Sequence, residues 1–306
     1  MIGGMAQRWP EVLSLLAGAA GRAGGPARIV VDGPDPSVVA ETTARLASAL
    51  RTRPSAPDTI TIDGSGTPVE LTIWLRTSRT SPTADSADIV VDVHDRDWPV
   101  VRHVNPALLD HASWYLRESR AFFGIRAATW DAKFGDDAPA YAAAVRRAAI
   151  PPGSTVLDVG CGTGRALLPL REAVGPTGRV LGLDHTPQML EVARKHGEPL
   201  LMADARRLPF AASTLDAVFA AGLIMHLPSA ADGLRELARA TAEAGRLILF
   251  HPTGRAALAA RHGRTLHPDD PLSRHRLEAL CAATGWALTD YDDGGAVFFA
   301  LARRTG

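Results

Sequence analysis

Two spacings of apolar residues alternate along most of the chain. Short β-branched runs read as strands, and longer stretches with apolar residues three and four apart read as helices. In the first third, 12–20 (VLSLLAGAA) reads as a short helix and 28–32 (RIVVD) as a strand. Residues 38–50 follow with Val38, Val39, Leu46, Ala49 and Leu50 at helical spacing. Strands are expected at 59–63, 69–75 and 87–93, separated by polar, Pro-bearing stretches at 51–57 and 77–86. Residues 106–149 read as mostly helical, with a break near 135–139.

From residue 151 the alternation becomes regular. Strands are expected at 155–159, 179–184, 200–204, 215–221 and 245–250, and helices at 165–174, 186–195, 230–240 and 277–283. The helix at 186–195 has Thr186 as N-cap, Pro187 at its first position and Gly197 just past its end. Such alternation implies a parallel sheet covered by helices, an α/β fold. The tail differs, because 286–291, the turn 292–295 and 296–300 form a hairpin that places one antiparallel strand in the sheet.

Length sets the number of domains. The chain has 306 residues, and at about 150 residues per domain two are expected. The expected division is a small α/β domain over 1–110, a helical linker and cover over 111–150, and a larger α/β domain over 151–306. Charge then narrows the partners, since 33 basic and 33 acidic residues cancel. That balance argues against a dedicated nucleic-acid binder, and an RNA-modifying enzyme would need a basic groove the sequence does not display. All the basic residues except Lys133 and Lys195 are arginine, so lysine chemistry has two candidates. Two cysteines, Cys161 and Cys281, cannot build a disulfide framework, which fits a cytoplasmic location. No apolar run reaches the roughly 18 residues of a membrane span. The 12–20 segment has a signal-peptide flavour, but Glu11 and the strand soon after it favour a helix.

The chemistry concentrates in VLDVGCGTGR at 156–165. A strand ends at Asp158 and Val159, Gly160, Gly162 and Gly164 follow, and a helix opens. Glycines let the backbone turn tightly and approach a ligand with no Cβ in the way. Asp184 ends the next strand, 20 positions beyond Gly164, where a carboxylate can accept both hydroxyls of a ribose. Three features set this loop apart from a nicotinamide-dinucleotide fingerprint. Its spacing is Asp-x-Gly-x-Gly-x-Gly, a third acid, Asp204, ends the third strand, and the terminal hairpin is antiparallel.

On these residues the chain resembles the class I S-adenosylmethionine-dependent methyltransferases, and within them the small-molecule group related to ubiquinone and menaquinone biosynthesis. The resemblance covers about 114–303 through DVGCGTG (158–164), LDHTPQML (183–190), ADARRLPFAASTLDAV (203–218), GLIMHLP (222–228) and LRELARATAEAGRLIL (234–249). It implies S-adenosylmethionine as cofactor, S-adenosylhomocysteine as product and a small-molecule methyl acceptor. It places Gly160, Cys161, Gly162 and Gly164 around the amino-acid end of the cofactor, with Asp158 supporting the loop. Asp184 would hold the ribose, with His185 and Met189 nearby. Asp204 and the Ala205 N–H would meet the adenine, and Ala221 or Gly222 would border the methionine end. Phe123 and Trp130, in FFGIRAATWDAKF, would belong to a helical cover.

Methyl transfer from a sulfonium is an in-line displacement, so holding the nucleophile on axis supplies much of the acceleration. A hydroxyl or carbon nucleophile also needs a base. His226 is the first candidate and His251 the second, both just past strand ends at the carboxyl edge of the sheet. Arg255 and His262 follow as candidate contacts to an anionic substrate. The ten histidines are scattered without a metal-binding spacing, so no metal is expected. Ala220, Ala221, Gly222 and Leu223 stand where amino-methylating nucleic-acid enzymes carry Asn/Asp-Pro-Pro-aromatic. A protein that binds the cofactor without catalysis, with the N-terminal domain as its interaction module, is the competing reading.

A second resemblance lies at 29–50, IVVDGPDPSVVAETTARLASAL, similar to the start of a uridine-kinase-like P-loop domain, with ADIVVD at 87–92 similar to its last core strand. Pro36, Val38, Val39 and Ala40 stand where Gly, Gly, Lys and Thr are expected. With no lysine for the phosphates and no hydroxyl for magnesium, phosphoryl transfer is not expected. A degenerate domain serving packing, dimerisation or cover is.

Overall fold

The computed structural model describes residues 8–22, 29–51, 60–61, 71–77, 87–109, 111–261, 266 and 270–306. The chain forms two compact units, one of residues 1–121 with 260–264 and the other of 122–259 with 265–306. The division falls between Ala121 and Phe122, so the helical stretch after residue 110 is shared between the units. His262 and the loop expected at 78–86 lie outside the described residues.

The first unit begins with α1 (Arg8–Arg22), β1 (Ile29–Asp32), α2 (Pro36–Arg51) and β2 (Ile60–Thr61). It continues through β3 (Leu71–Arg76), β4 (Ile89–Asp92) and β5 (Val100–Val104) into α3 (His111–Gly124). Among the described residues its sheet has the order β2-β1-β3-β4-β5, parallel except for β5, which runs against β4. Sequence patterning missed β5. Its VVRHV run holds Arg102 and His103 between buried valines, so alternation is broken. Ile29, Leu71, Ile73, Leu75, Ile89 and Val91 form the buried centre.

After α4 (Ala127–Phe134) and α5 (Ala138–Ala148), the second unit alternates β6 (Thr155–Val159), α6 (Leu167–Val174), β7 (Arg179–Asp184), α7 (Pro187–Ala193) and β8 (Leu200–Met202). Next come β9 (Leu215–Ala221), α8 (Ala230–Ala240), β10 (Thr241–His251), α9 (Arg255–Arg261), α10 (Arg274–Ala283), β11 (Trp286–Asp292) and β12 (Phe298–Arg304). The sheet order is β11-β12-β10-β9-β6-β7-β8. β12 lies between β10 and β11 and is antiparallel to both, as the terminal hairpin implied.

Two local expectations need correction, and the Thr186 N-cap, which the structure keeps, gains a detail. Strand β8 ends at Met202, so Asp204 lies in the loop beyond the strand. β10 begins at Thr241, and its register shifts between Thr241 and Arg246 around Ala244, which has φ 60°. Thr186 precedes α7 in extended conformation, but its hydroxyl makes no capping bond. Its backbone N–H instead donates to Asp184 Oδ1 at 2.7 Å.

One face of the sheet is sealed by α5 and α6 through Val145, Ala148, Leu167 and Leu170 against Val156, Phe219, Ile248 and Phe250. Tyr141, Phe219 and Phe250 stack around one another, with Tyr141 5.0 Å from Phe250 and edge-on to it. Arg147 ties α5 to the terminal hairpin with two bonds to Asp290, at 2.8 and 2.9 Å, and one to Asp292 at 2.6 Å, while lying over Phe299. Truncating the fully buried Phe219 to alanine is expected to destabilise this unit by about 3–5 kcal/mol. Urea unfolding followed by circular dichroism checks this, and an unchanged midpoint would remove Phe219 from the core account.

Candidate active site

β6 supplies the frame. Val156, Leu157, Asp158 and Val159 are buried, and the chain then turns back on itself. The N–H groups of Gly160 and Cys161 both donate to Leu183 O on β7, at 2.7 and 2.9 Å. Closing that double bond needs left-handed backbone, and Gly160, Gly162 and Gly164 have φ of 71°, 55° and 87°. Other residues disfavour that region. At Gly164 a Cβ would also lie 2.6 Å from Cδ2 of His196, whose Nε2 lies 3.1 Å from Thr163 O. At Gly160 a Cβ would press on Leu223, 3.1 Å away, just past β9.

The acidic residues divide by environment. Asp158 is buried and its Oδ2 has no hydrogen-bond partner. Burial first, then the Asp184 carboxylate, push its pKa up to about 8. Asp184 accepts from Gly162 N at 3.0 Å and from Thr186 N at 2.7 Å, so two backbone donors fix its carboxylate at the end of β7. His185 Nδ1 lies 3.5 Å from Asp184 Oδ1. Met189 is buried below Gly162, its sulfur 4.0 Å from where a Cβ would stand. Asp204 binds the guanidinium of Arg206, while Ala205 is buried beside it. Cys161 is buried, with its thiol pushed well above the usual range by burial, which suits packing rather than nucleophilic chemistry. Cys281, also buried, is pushed up to about 11 for the same reason.

The helical cover is fastened directly to this loop. Thr163 Oγ1 donates to Asp131 Oδ1 on α4 at 2.5 Å, and Lys195 donates to the other carboxylate oxygen. Although burial opposes it, these donors hold the Asp131 carboxyl below its ordinary value. Arg165 Nη1 adds bonds to Phe134 O at 2.9 Å and to Asp137 at 3.2 Å. Phe123, Trp130 and Phe134 form a continuous aromatic run, with ring centres 5.8 and 5.0 Å apart. Phe123 also meets His226 edge-on at 5.3 Å. Phe123 and Trp130 therefore belong to one cluster with the candidate base. Sequence reading gave Asp131, Thr163, Lys195, Arg165 and Leu223 no place in tying the cover to the loop. Only the proximity of α4 to α7 and the loop reveals them.

Beyond β9 and β10, Ala221 leads into Gly222 (φ 65°), whose N–H donates to Phe250 O at 2.8 Å. His251 lies beside it, with Cδ2 3.6 Å from where a Gly222 Cβ would stand. Its Nδ1 is 2.8 Å from Thr253 O and 3.0 Å from Thr253 N, so one proton decides which of the two it binds. Arg255 corrects the expectation of an anion contact. Its guanidinium is buried, donating to Asp293 at 2.9 Å and to the Tyr291 hydroxyl at 3.0 Å, with Asp270 at 3.6 Å. A cation already neutralised inside the protein is not available to a substrate. An open depression of about 330 Å³, lined by Pro151, Ser154, Asp216 and Arg246, lies at the amino edge of the sheet. Ligands of parallel α/β sheets bind at the opposite edge.

Residues 157–249 match the family model described as a methyltransferase domain. A demethylmenaquinone methyltransferase of Bacillus cereus is 33% identical over 125 residues, which is 39% of this chain and 53% of that protein. Aklanonic acid methyltransferase DauC of a Streptomyces species is 36% identical over 111 residues, 34% of this chain and 50% of that protein. The chain thus spans about half the length of these relatives. A chain of the solved complex between the Haloferax volcanii Trm112 methyltransferase activator and a methyltransferase aligns with a TM-score of 0.51 and 20% identity. That alignment covers 60% of this chain and 98% of the other, and it shows a shared fold. Residues 157–249 of the second unit therefore match a methyltransferase domain, and the unit shares the fold of a solved methyltransferase chain. S-adenosylmethionine is the cofactor of that domain.

The residues present fit this cofactor. Gly160, Gly162 and Gly164 hold the loop at positive φ against Leu183, and Asp158 offers a buried oxygen without a partner. Asp184 uses two of about four carboxylate acceptor positions on backbone N–H groups, leaving the others for hydroxyls. The raised pKa of Asp158 also yields a test. Between the ordinary carboxylate value of 3.8 and about 8, the unfolded chain has lost a proton that the folded chain keeps, so stability falls as pH rises. Asp158→Asn, a neutral isostere, should escape that loss and gain on wild type as pH climbs through this window. Urea midpoints at several pH values check it, and parallel curves for the two proteins would show that Asp158 is ionised in the fold.

Proposed function

We propose that this protein transfers a methyl group from S-adenosylmethionine to a nucleophilic oxygen, nitrogen or carbon of a small molecule, releasing S-adenosylhomocysteine. The observation that carries the reading is the glycine loop folded back on Leu183, with Asp184 fixed beneath it by Gly162 and Thr186. When bound, the cofactor supplies an electrophilic methyl on a sulfonium. The chain's own residues bind and orient around it. Asp184 takes the ribose, Asp204 and the Ala205 N–H take the base, and Met189 and His185 pack alongside. Phe123, Trp130 and the tied helix α4 exclude water from the site.

His251 is the base favoured by its surroundings. A proton on Nδ1 donated to Thr253 O leaves the lone pair on Nε2, and Gly222 beside the ring gives it room. His226, against Phe123, orients the acceptor or serves as base in its place. A small acceptor is supported by the substrates named for the two relatives and by Ala220–Leu223 lacking the nucleic-acid tetrapeptide. Two buried, unpaired cysteines support a reducing, cytoplasmic location. Among the described residues, no helix is long and apolar enough to cross a membrane.

The strand-loop-helix of the first unit we read as a degenerate P-loop, retained for packing or self-association. Its α2 amino end is filled by the chain itself. Asp35 accepts from Ser37 N at 3.0 Å, Ser37 Oγ at 2.7 Å and Val38 N at 3.3 Å, and it pairs with Arg96 at 2.7 Å. An anion there would meet a carboxylate rather than free N–H donors.

Calorimetric titration tests both assignments. Wild type should bind S-adenosylmethionine at micromolar Kd, Asp184→Asn should lose about tenfold or more, and ATP should give no heat. ATP binding without S-adenosylmethionine binding would overturn both. Transfer of a labelled methyl to a panel of phenolic, amine and enolic acceptors then tests catalysis. His251→Gln is expected to lower kcat about 10²-fold or more with little change in cofactor affinity. Equal kcat in wild type and variant would remove His251 from the chemistry.

A further inference from the structure

The carboxylate assigned to the adenine end of the site is already engaged on both oxygens by Arg206. Arg206 Nε lies 3.1 Å from Asp204 Oδ1 and 3.0 Å from Oδ2, and Nη2 lies 2.8 Å from Oδ2. The Arg206 backbone N–H adds a bond to Oδ1 at 2.9 Å. One guanidinium therefore spans both oxygens, and a backbone donor takes a further acceptor position of the roughly four available. Both side chains are mostly buried, 15% and 17% exposed, so this pair is better shielded than a surface ion pair. Although burial opposes it, hydrogen bonds from the Arg206 side chain and backbone hold the Asp204 carboxyl below its ordinary value, an anion matched to one cation.

We propose that Arg206 is an internal latch on the adenine end of the site, whose guanidinium competes with the exocyclic amino group of the cofactor for the Asp204 carboxylate and swings aside when the base is seated. The proposal rests on the methyltransferase reading of the site. Its logic is that of a fractionally available binding state. A site whose acceptor is held by an internal donor binds with an affinity reduced by the fraction of time that acceptor is released. Arg206 is suited to the role because it sits in the loop just beyond β8 on a long side chain, while Asp204 is fixed by the turn that its own Oδ1 closes. A base with a carbonyl in place of the 6-amino group puts an acceptor where that donor would stand, and it does not displace the guanidinium. The latch thereby lowers the affinity for adenine and leaves its deaminated counterpart nearly unaffected.

The test is calorimetric binding of S-adenosylhomocysteine and of S-inosylhomocysteine, which carries a 6-oxo group in place of the 6-amino group. Wild type, Arg206→Met and Arg206→Lys are compared. Arg206→Met should tighten S-adenosylhomocysteine about fivefold while changing the inosyl analogue less than about twofold. Arg206→Lys, which keeps the charge but loses the two-pronged geometry, should fall between wild type and methionine. Weaker binding of S-adenosylhomocysteine by both variants would overturn the latch and make Arg206 a support that orients Asp204. Equal tightening for both ligands would overturn it as well, because selectivity for the amino group would be absent. A wild type that binds neither ligand would remove the cofactor reading and the latch with it.

Discussion

Two N–H groups donated to a single carbonyl hold the functional end of this protein together. Gly160 and Cys161 both bond to Leu183 O, which locks the loop leaving β6 against the end of β7. The turn is possible only because Gly160, Gly162 and Gly164 accept positive φ. Once it forms, Gly162 N lies 3.0 Å from Asp184, and the carboxylate is fixed by donors from both sides. Asp158, one residue before the end of β6, is sealed below as a consequence. The cover depends on the same loop, because Thr163 is the residue that reaches Asp131 on α4.

The first unit shows the same local geometry put to a different end. A buried strand leads through a short loop into a helix in both units, and in both the helix amino end has N–H groups to satisfy. In the second unit the glycines hold the loop at positive φ. In the first, Asp35 turns inward, caps α2 and is neutralised by Arg96. Valines at 38 and 39 are buried as core residues there.

Charge in the second unit is managed by local pairing. Arg147 with Asp290 and Asp292, Arg255 with Asp293, and Arg171 with Glu198 each join elements distant in sequence. These pairs give three of the arginines a structural purpose. They also explain why Arg255, placed just after a strand end, does not serve a substrate.

Strand β6, β7 and β9 boundaries, helix α8 and the antiparallel hairpin were legible because each has a strong local signal: an unbroken β-branched run, an apolar helical face or a tight turn. β5 was not, since Arg102 and His103 interrupt its pattern and its place is fixed by pairing with β4. The sequence by itself determined the sheet class, the glycine loop and the acids at 158, 184 and 204, because backbone conformation and burial periodicity are local properties. The tertiary structure decided which side chains share a site. It brought Asp131 to Thr163, Phe123 to His226 and His251 to Gly222, and it withdrew Arg255 into an ion pair. Those outcomes depend on contacts between residues tens of positions apart, which no local pattern encodes.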